Sequence, residues 1–239
     1  MSWLRTRSCV GSVSMVVMFC LLPLARPSVG DEAKEITAPP TWYVSTVVSG
    51  RGGYRVTHYW SLGPTLRTET MLGVRPITTI VRGDRYLVFD ELRGEGVEVK
   101  RSPLAISEDA TRGRPFGNDL ERLIRASGER VEAGVLNGIP AEIWRVTNST
   151  GRRTVWVTVG ESEVPLRVEN FDRESGDSAT LNYSNWASGF EIPERFFEPV
   201  PGLQIQKLEY DEWVAESLKG PVRGLPILYP ELIHGFRAN

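Results

Sequence analysis

The sequence predicts a mainly β fold, an antiparallel sheet with one apolar face that one or two short α-helices cover. Turn signals recur about every 10 to 12 residues from Trp42 onward, which is typical of an all-β meander. Between the turns, apolar and polar side chains alternate, as they do in strands that have one face on a core and one in water. Helical periodicity is confined to two short stretches.

The turn signals are short stretches rich in Gly, Asp, Asn and Ser. They are SGRGG (49–53), LGP (62–64), RGDR (82–85), RGEG (93–96), NSTGR (148–152), GESE (160–163), RESGDS (173–178) and ASG (187–189). Gly and Asp tolerate the backbone conformations that tight turns require. We therefore expect the chain to reverse at each of these stretches.

Side-chain alternation is clearest in four stretches. The first places Tyr54, Val56, His58 and Trp60 on one face and Arg55, Thr57, Tyr59 and Ser61 on the other. The others are TVWVTV (154–159), VPLRVENF (164–171) and ATLNYSNW (179–186). A period of two residues over such lengths predicts strands with one covered face.

Two stretches have helical spacing. In GNDLERLIRASG (117–128), Asn118 is a candidate N-cap and Glu121 completes a capping-box pattern. The apolar stripe of this helix comprises Leu120, Leu123 and Ile124. The second stretch is DEWVAESLKG (211–220), with Asp211 as the expected cap. These helices must bury their apolar stripes, and the apolar face of the sheet is the surface that can cover them.

The first thirty residues predict a secretory signal peptide, cleaved near Gly30. Arg5 and Arg7 precede a mostly apolar run, Val10 to Leu24, and small residues follow it. The run is about 15 residues, whereas a membrane-spanning helix needs roughly 20. A retained anchor is the alternative. Residues 31–40 are polar and end in two prolines, which predicts a flexible leader.

Both cysteines, Cys9 and Cys20, lie in the predicted signal peptide, so we expect a mature chain without disulfides that relies on its core alone. Cys20 follows Phe19 rather than the small residue that precedes a lipid-attachment cysteine, so lipidation is not expected.

The charge pattern disfavours partners that bind by positive charge. Cleavage near Gly30 removes three basic residues and no acidic ones, which changes the formal net charge from −2 to about −5. No basic block is present in the remaining chain. Binding to nucleic acid, or to an anionic membrane surface by charge alone, is therefore not expected.

Known catalytic motifs are missing from the sequence. It has no G-x-S-x-G elbow, P-loop, H-E-x-x-H or dinucleotide fingerprint. His58 is expected to be a hydrogen-bonded strand residue, and His234 is 176 positions further along the chain. We therefore expect no enzyme activity, no metal and no cofactor, although a small acid–base site would leave no linear trace and His58 is the first residue to test for one.

Two longer segments resemble the LolA/LolB-like superfamily of periplasmic lipoprotein carriers. They are VPLRVENFDRESGDSATLNYSNWASGFEIPERFFEPVPGLQI (164–205) and TLRTETMLGVRPITTIVRGDRYLVFDEL (65–92). The resemblance covers roughly residues 41–210. It implies an unclosed antiparallel β-barrel over 41–220, with helices as a lid on a concave apolar face that binds acyl chains. It also implies a periplasmic location. Where carriers that hand over lipoproteins have an arginine before a proline, this chain has Gly63 before Pro64.

Alternation and the predicted lid give a set of candidate lipid-lining residues. They are Val56, Trp60, Leu66, Ile80, Leu87, Phe89, Leu120, Leu123, Ile124, Val155, Val157, Leu166, Val168 and Leu181. Ordinary core packing is the alternative role for each. Phe196 and Phe197 are expected to close one end of the half-barrel.

Taken with the resemblance, these features predict a monomeric carrier or chaperone for lipid acyl chains or a lipidated protein. Its partners would be membrane-associated donor and acceptor proteins. A lipid sensor that acts through a partner is the alternative, and an enzyme on the same scaffold is a third. The apolar, proline-rich tail 221–239 is expected to lack helix and to form either a strap across the barrel or a docking segment for a partner.

Overall fold

The structure, a computed structural model, describes residues 39–160 and 163–235. The predicted signal peptide, residues 31–38 of the predicted leader and residues 236–239 of the predicted tail lie outside the described residues. In the described part, no helix combines the length and the apolar character needed to span a bilayer.

Within the described part, the chain forms one large sheet of twelve strands. The strands are β1 Thr41–Gly50, β2 Gly53–Leu62, β3 Thr65–Leu72, β4 Arg75–Arg82, β5 Arg85–Asp90, β6 Glu95–Lys100, β7 Glu129–Leu136, β8 Ile139–Thr147, β9 Gly151–Thr158, β10 Pro165–Asp172, β11 Ser178–Ser188 and β12 Gln204–Leu208. Their order in the sheet is β12-β6-β5-β4-β3-β2-β1-β11-β10-β9-β8-β7. The edge strands β7 and β12 do not pair, so the barrel is unclosed, as predicted.

All neighbouring strands are antiparallel except β12 and β6, which are parallel, so the sheet is mixed. This exception follows from the path of the segment between β11 and β12. After β11, in the middle of the sheet, the chain crosses one sheet face to reach β6 at the far edge. It arrives at the end where β6 begins, and Gln204 pairs with Glu95.

Four short α-helices accompany the sheet in the described residues: α1 Pro103–Asp109, α2 Asp119–Arg125, α3 Tyr210–Ser217 and α4 Glu231–His234. We call the face on which α2, α3 and α4 pack the inner face. On it, Leu66, Val88 and Val99 belong to one buried cluster with Trp213 of α3 and Ile233 of α4. The inner face is the covered, apolar face that the sequence predicts.

The opposite, outer face is covered as well. The segment 189–203 crosses it, and its buried Phe197 packs against Ile80, Leu87 and Phe89. Arg67, 8 % exposed, donates a hydrogen bond to the carbonyl oxygen of Phe196 and lies 4.8 Å from the centre of its ring. The aromatic stretch that the sequence assigns to one end of the barrel therefore lies across the back of the sheet.

The predicted helices α2 and α3 are present, with different caps. Asn118 precedes α2, but its side-chain amide donates to the carbonyl oxygen of Arg114 and makes no cap hydrogen bond. Helix α3 begins two residues before the start that the expected cap Asp211 implies, because Glu209 and Glu212 form its capping box and Asp211 does not.

Two helices were not predicted. Helix α1 begins after Ser102, whose hydroxyl accepts from the backbone N–H of Ala105. The expectation that the tail lacks helix is wrong for α4. Pro230 precedes this single turn, at a position where a proline ring costs no intrahelical hydrogen bond.

The C-terminal segment 222–235 lies on the inner face as a strap. Leu225, Leu232 and Ile233 are at most 3 % exposed and belong to the main core cluster. The backbone N–H of Ser102 donates to the carbonyl oxygen of Ile233, and its hydroxyl donates to that of His234. These contacts support a strap rather than a loose docking segment.

Asp90 stabilises the turn between β5 and β6. Its buried carboxylate accepts from Arg75 Nε at 2.8 Å and from the backbone N–H groups of Leu92 and Arg93 at 2.9 and 3.1 Å. Burial by itself raises the pKa of Asp90, but these donors together lower it below the ordinary value. Because the folded-state pKa is lowered, the stabilisation is present above the unfolded pKa of about 3.9 and is lost as the pH falls through the folded value.

We therefore expect Asp90→Asn to lower the free energy of unfolding at neutral pH by about 1–3 kcal/mol, since two backbone donors and Arg75 lose a charged acceptor. Urea unfolding at neutral and acidic pH measures this. The difference from the unaltered chain should shrink once the pH is below the folded pKa. Asp84→Asn, at an exposed carboxylate in the turn between β4 and β5, is the control and should change stability by less than about 0.5 kcal/mol. Equal effects of the two substitutions would contradict this role for Asp90.

Candidate functional site

The structure divides the predicted lipid-lining residues between the two faces. On the inner face lie Leu66, Val155, Val157, Val168 and Leu181, together with Leu120 and Leu123 of α2. On the outer face lie Val56, Trp60, Ile80, Leu87 and Phe89. Leu166 lies at the register shift between Pro165 and Arg167, and Ile124 is 48 % exposed. Only the first group can face a site beneath the helices.

The lid helix α2 packs on β8, β9 and β10. Leu123, 1 % exposed, contacts Val155, Val157 and Val168, and Leu120 packs beside them. The predicted lid is therefore present, but it covers only the inner face of the second half of the sheet. The strap 222–235 and α3 cover the first half.

An open recess lies on the inner face at one end of the sheet. Its volume is about 510 Å³, and its walls are mostly apolar. It is lined by Val48, Tyr54, Arg55, Met71, Leu72, Asn170, Ala179 and the glycine-rich turn between β1 and β2, and also by the polar residues Asp172, Asp177 and Ser178. Leu72 of β3 and Asn170 of β10 are four strand positions apart in the sheet, so the sheet must curve around this recess.

A smaller cavity of about 120 Å³ lies deeper on the same face, between the start of α2, the strap and the sheet. Its walls include Tyr59, Leu66, Phe116, Leu181, Tyr183, Tyr229 and Leu232, with Asp119, Arg122 and Glu231 at its polar side. Strand β11 connects the two spaces, because Ala179, Leu181 and Tyr183 point to the same face at steps of two residues. This run is roughly 13 Å long at the rise of a β-strand.

An aromatic cluster forms the wall of the deeper cavity, which we call the aromatic cavity. The rings of Tyr183 and Trp186 are stacked with centres 5.7 Å apart, and Phe116 stacks on the other side of Trp186 at 5.9 Å. Tyr59 lies 5.3 Å from Phe116 and 5.9 Å from Tyr229. Such rings give a large, rigid apolar surface.

Asp119, at the start of α2, fixes the lid to this wall. The hydroxyl of Tyr183 donates to its carboxylate at 2.6 Å, and Arg153 of β9 donates to the second oxygen. Burial raises the pKa of Tyr183, and the neighbouring Asp119 carboxylate raises it further. Burial and the nearby Tyr229 likewise raise the pKa of Tyr59. Both phenols therefore stay protonated at neutral pH, which preserves their hydrogen bonds.

A third space, of about 360 Å³, lies between α3 and the strap. It is lined by Val88, Val97, Trp213, Leu225 and Ile227, among others. The strap separates it from the aromatic cavity, because Leu225 and Leu232 both pack into the core between them.

Gly63, which takes the place of the carriers' arginine, is a turn residue with φ of +55°. A side chain there would be strained, and a Cβ atom would lie 3.2 Å from Pro39. Arg67, the nearest arginine along the chain, is on the outer face, where it holds the crossing segment. Neither residue therefore presents a side chain to α2 on the inner face.

His58, the first residue to test for an acid–base site, does not face the inner-face recess. His58 lies on the outer face, where its Nδ1 is 2.9 Å from the hydroxyl of Tyr43 and its ring stacks on Trp60. Within residues 39–160 and 163–235, no group of three or more His, Cys, Asp or Glu side chains is arranged to hold a metal ion.

No protein-family model matches the chain, and no curated protein sequence does either. Among solved structures, an uncharacterized conserved protein from Thermus thermophilus is similar, with a TM-score of 0.51 and 12% identity over 72% of this chain and 92% of that one. At this identity, the similarity shows a shared fold.

Two further solved structures have TM-scores too low to support an argument. One is the MucA/MucB complex of Pseudomonas aeruginosa, with a TM-score of 0.43 and 13% identity over 71% of this chain; the chain spans 59% of its length. The other is the lipoprotein LppX of Mycobacterium tuberculosis, with a TM-score of 0.37 and 17% identity over 68% of this chain and 88% of that one.

The sequence prediction missed the aromatic cluster and the open recess. Tyr59 was placed on the face opposite Trp60, which is correct, but that face also carries Arg55, Thr57 and Ser61 and therefore resembles a wet surface. Thr57 and Ser61 are in fact buried, at 2 % and 0 % exposure. The alternation of Ala179, Leu181 and Tyr183 is the sequence signal for the strand that lines both the recess and the deeper cavity.

Proposed function

We propose that the chain binds the acyl chain of a lipid, free or attached to a lipidated protein, in the open recess of the LolA/LolB-like fold, and that it acts as an exported carrier in the periplasm. The observation that carries the proposal is the mostly apolar recess of about 510 Å³, whose wall residue Ala179 is followed on the same face of β11 by Leu181 and Tyr183 of the aromatic cavity. The chain acts by binding rather than by turnover.

The energetics suit such a site without any polar anchor. Each methylene removed from water contributes about 0.8 kcal/mol, so a sixteen-carbon chain gains roughly 12 kcal/mol before association costs. An acyl chain in a membrane is already out of contact with water, so the free energy of moving it from the membrane into the recess is close to zero. The direction of transport must then come from a membrane-associated donor or acceptor protein.

Filling the recess tests the proposal. Ala179 lines it, and Ala179→Phe should weaken binding of a fluorescent acyl probe by at least about tenfold, because displacing two methylene groups alone corresponds to that factor. Fluorescence titration of the probe measures the dissociation constant.

Thr180→Phe is the matched control, since it places the same ring on the next residue of β11 and therefore on the outer face. It should leave the dissociation constant within about twofold of the unaltered chain. Circular dichroism melting establishes that both variants fold. Tight probe binding by Ala179→Phe, or no binding by the unaltered chain, would refute a lipid site in this recess.

A further inference from the structure

At three neighbouring turns at one end of the sheet, a large apolar side chain lies in solvent, either in the turn or at the start of the strand that follows it. The turns join β1 to β2, β3 to β4 and β5 to β6, and these six strands are adjacent in the sheet. Tyr54 is 81 % exposed, Val74 88 % and Leu92 73 %. We call these three residues the tip surface. Neighbouring strands are about 4.8 Å apart, so successive turns lie roughly 10 Å apart in a row.

This exposure is unusual for the molecule. Among the large apolar side chains of residues 39–160 and 163–235, only Leu218, at 85 %, is comparably exposed, and Val135 follows at 67 %. Leu218 comes just after α3. Five residues further along the chain, Arg223 donates a hydrogen bond to the carbonyl oxygen of Gln204. Gln204 lies at the same end of the sheet as the tip surface. Scattered single exposures are common on proteins, but a group at one end indicates a contact surface.

The tip surface adjoins the open recess at Tyr54. Tyr54, Met71 and the turn glycine Gly73 belong both to this end of the sheet and to the walls of the recess. Met71 is itself 43 % exposed. An acyl chain that enters the recess from this end would pass beside Tyr54 and Met71.

Arginines flank each turn of the tip surface. Arg51, next to the first turn, is 78 % exposed and bonds Asp177 at 3.2 Å. Arg75 and Arg93, beside the other two, are 38 % and 47 % exposed and pair with Asp90 and Glu95. The acidic partners nearly balance the positive charge, so this surface does not depend on an anionic partner.

We propose that the tip surface docks on a phospholipid bilayer, with Tyr54, Val74 and Leu92 inserted at the interface and the flanking arginines at the level of the phosphates. Tyrosine and aliphatic side chains with nearby arginines suit the boundary between headgroups and acyl chains. Docking brings the mouth of the recess onto the membrane, so a lipid can pass into it without crossing water. That passage rests on the proposed function, whereas docking itself does not.

A bilayer suits these side chains better than a protein partner does. The three residues stand singly on separate turns, and glycine or arginine neighbours separate them along the chain. A protein partner would need a separate, correctly spaced pocket for each of them, whereas a fluid interface accepts single side chains at any spacing. The near balance of charge predicts binding to neutral phosphatidylcholine, with little gain from anionic phosphatidylglycerol.

Vesicle flotation of the full chain tests the proposal, with vesicles of phosphatidylcholine alone and of phosphatidylcholine with phosphatidylglycerol. The triple variant Tyr54→Ser, Val74→Ser, Leu92→Ser should lower the partition coefficient by about tenfold or more on both vesicles. The matched control is Val135→Ser, Ile139→Ser, Val159→Ser, which removes three exposed apolar side chains from the opposite end of the sheet. It should stay within about twofold of the unaltered chain.

Titration with a soluble acyl probe separates docking from lipid binding when it uses the double variant Val74→Ser, Leu92→Ser, because neither residue lines the recess. This double variant should float less well than the unaltered chain and keep its probe affinity. If the triple variant floated as efficiently as the unaltered chain, the proposal would be overturned. It would also be overturned if the unaltered chain floated with neither vesicle, and a protein partner would then be the occupant of this surface. Loss of probe binding with docking intact would instead count against the proposed function alone.

Discussion

Deleting residues 221–239 is expected to leave a chain that no longer unfolds cooperatively. The deletion removes Leu225, Leu232 and Ile233, which are 1 %, 3 % and 0 % exposed. Burial of such a side chain contributes about 1.5–3 kcal/mol, so the three together contribute roughly 5–9 kcal/mol. Typical domains have a total stability of about 5–15 kcal/mol. The deletion also uncovers the inner face of β5 and β6.

Thermal melting followed by circular dichroism measures this effect. A milder test is Ile233→Ala, which should lower the free energy of unfolding by about 2–5 kcal/mol. Leu218→Ala, at an exposed position, is its control and should change the free energy of unfolding by less than about 0.5 kcal/mol. If the shortened chain melted as sharply and at the same temperature as the full one, the strap would be peripheral, and its role as a docking segment would be the better interpretation.

Arg101→Met should be the most damaging single substitution of a polar residue. The side chain is fully buried and donates to the carbonyl oxygens of Leu232, Gly83 and Ala105 and to both oxygens of Asp109. It thereby connects the strap, the turn between β4 and β5, and α1. Its removal leaves a carboxylate and three carbonyl oxygens without the donor that Arg101 provides. We therefore expect the free energy of unfolding to fall by about 3–5 kcal/mol.

Urea unfolding measures this loss, and two further variants identify its cause. Arg101→Lys should recover only a small part of it, because an ammonium group cannot reproduce the planar fork of donors. Adding Asp109→Leu to Arg101→Met should restore some stability by removing the orphaned carboxylate. Arg85→Met, at a side chain 60 % exposed, is the control. Equal stability of Arg101→Met and the control would show that this network contributes nothing.

The sheet could be predicted from sequence because its signals are local. Seven of the eight predicted turns join consecutive strands, and ASG ends β11. The turn at Asn137–Gly138, between β7 and β8, was missed although Asn-Gly between alternating strands is a strong hairpin signal. The turn at Gly73–Val74 was missed as well, because it has only one small residue. The shape of the barrel came from the resemblance, since turns and alternation do not encode how far a sheet curves.

The assignment of residues to the lipid site depended on long-range packing, which alternation cannot supply. Strands β4 and β5 are buried on both faces, with Ile77, Thr78, Thr79, Ile80 and Val81 all at most 4 % exposed. The crossing segment 189–203 covers the outer face, so Trp60, Ile80 and Phe89 are apolar for a reason unrelated to the helices. With both faces apolar, the pattern could not indicate which one held the recess.

The strap and the lid illustrate the same limit. The strap fills the inner face of the first half of the sheet, so the space for a ligand lies further along, beside Ala179 and Leu181. Nothing in a proline-rich stretch of sequence predicts which strands it will cover. Leu123, in contrast, lies on the side of α2 that packs on the sheet, as the sequence predicts, because the period of a helix and the need to bury its stripe are both readable locally.

Native mass spectrometry of the chain purified from its own host tests the central claim, that an acyl chain occupies the inner-face recess. We expect a population with added mass that organic solvent releases as lipid, and we expect Ala179→Phe, prepared in the same way, to lose it. A uniform mass equal to that of the bare polypeptide, together with no saturable binding of an acyl probe, would contradict the account.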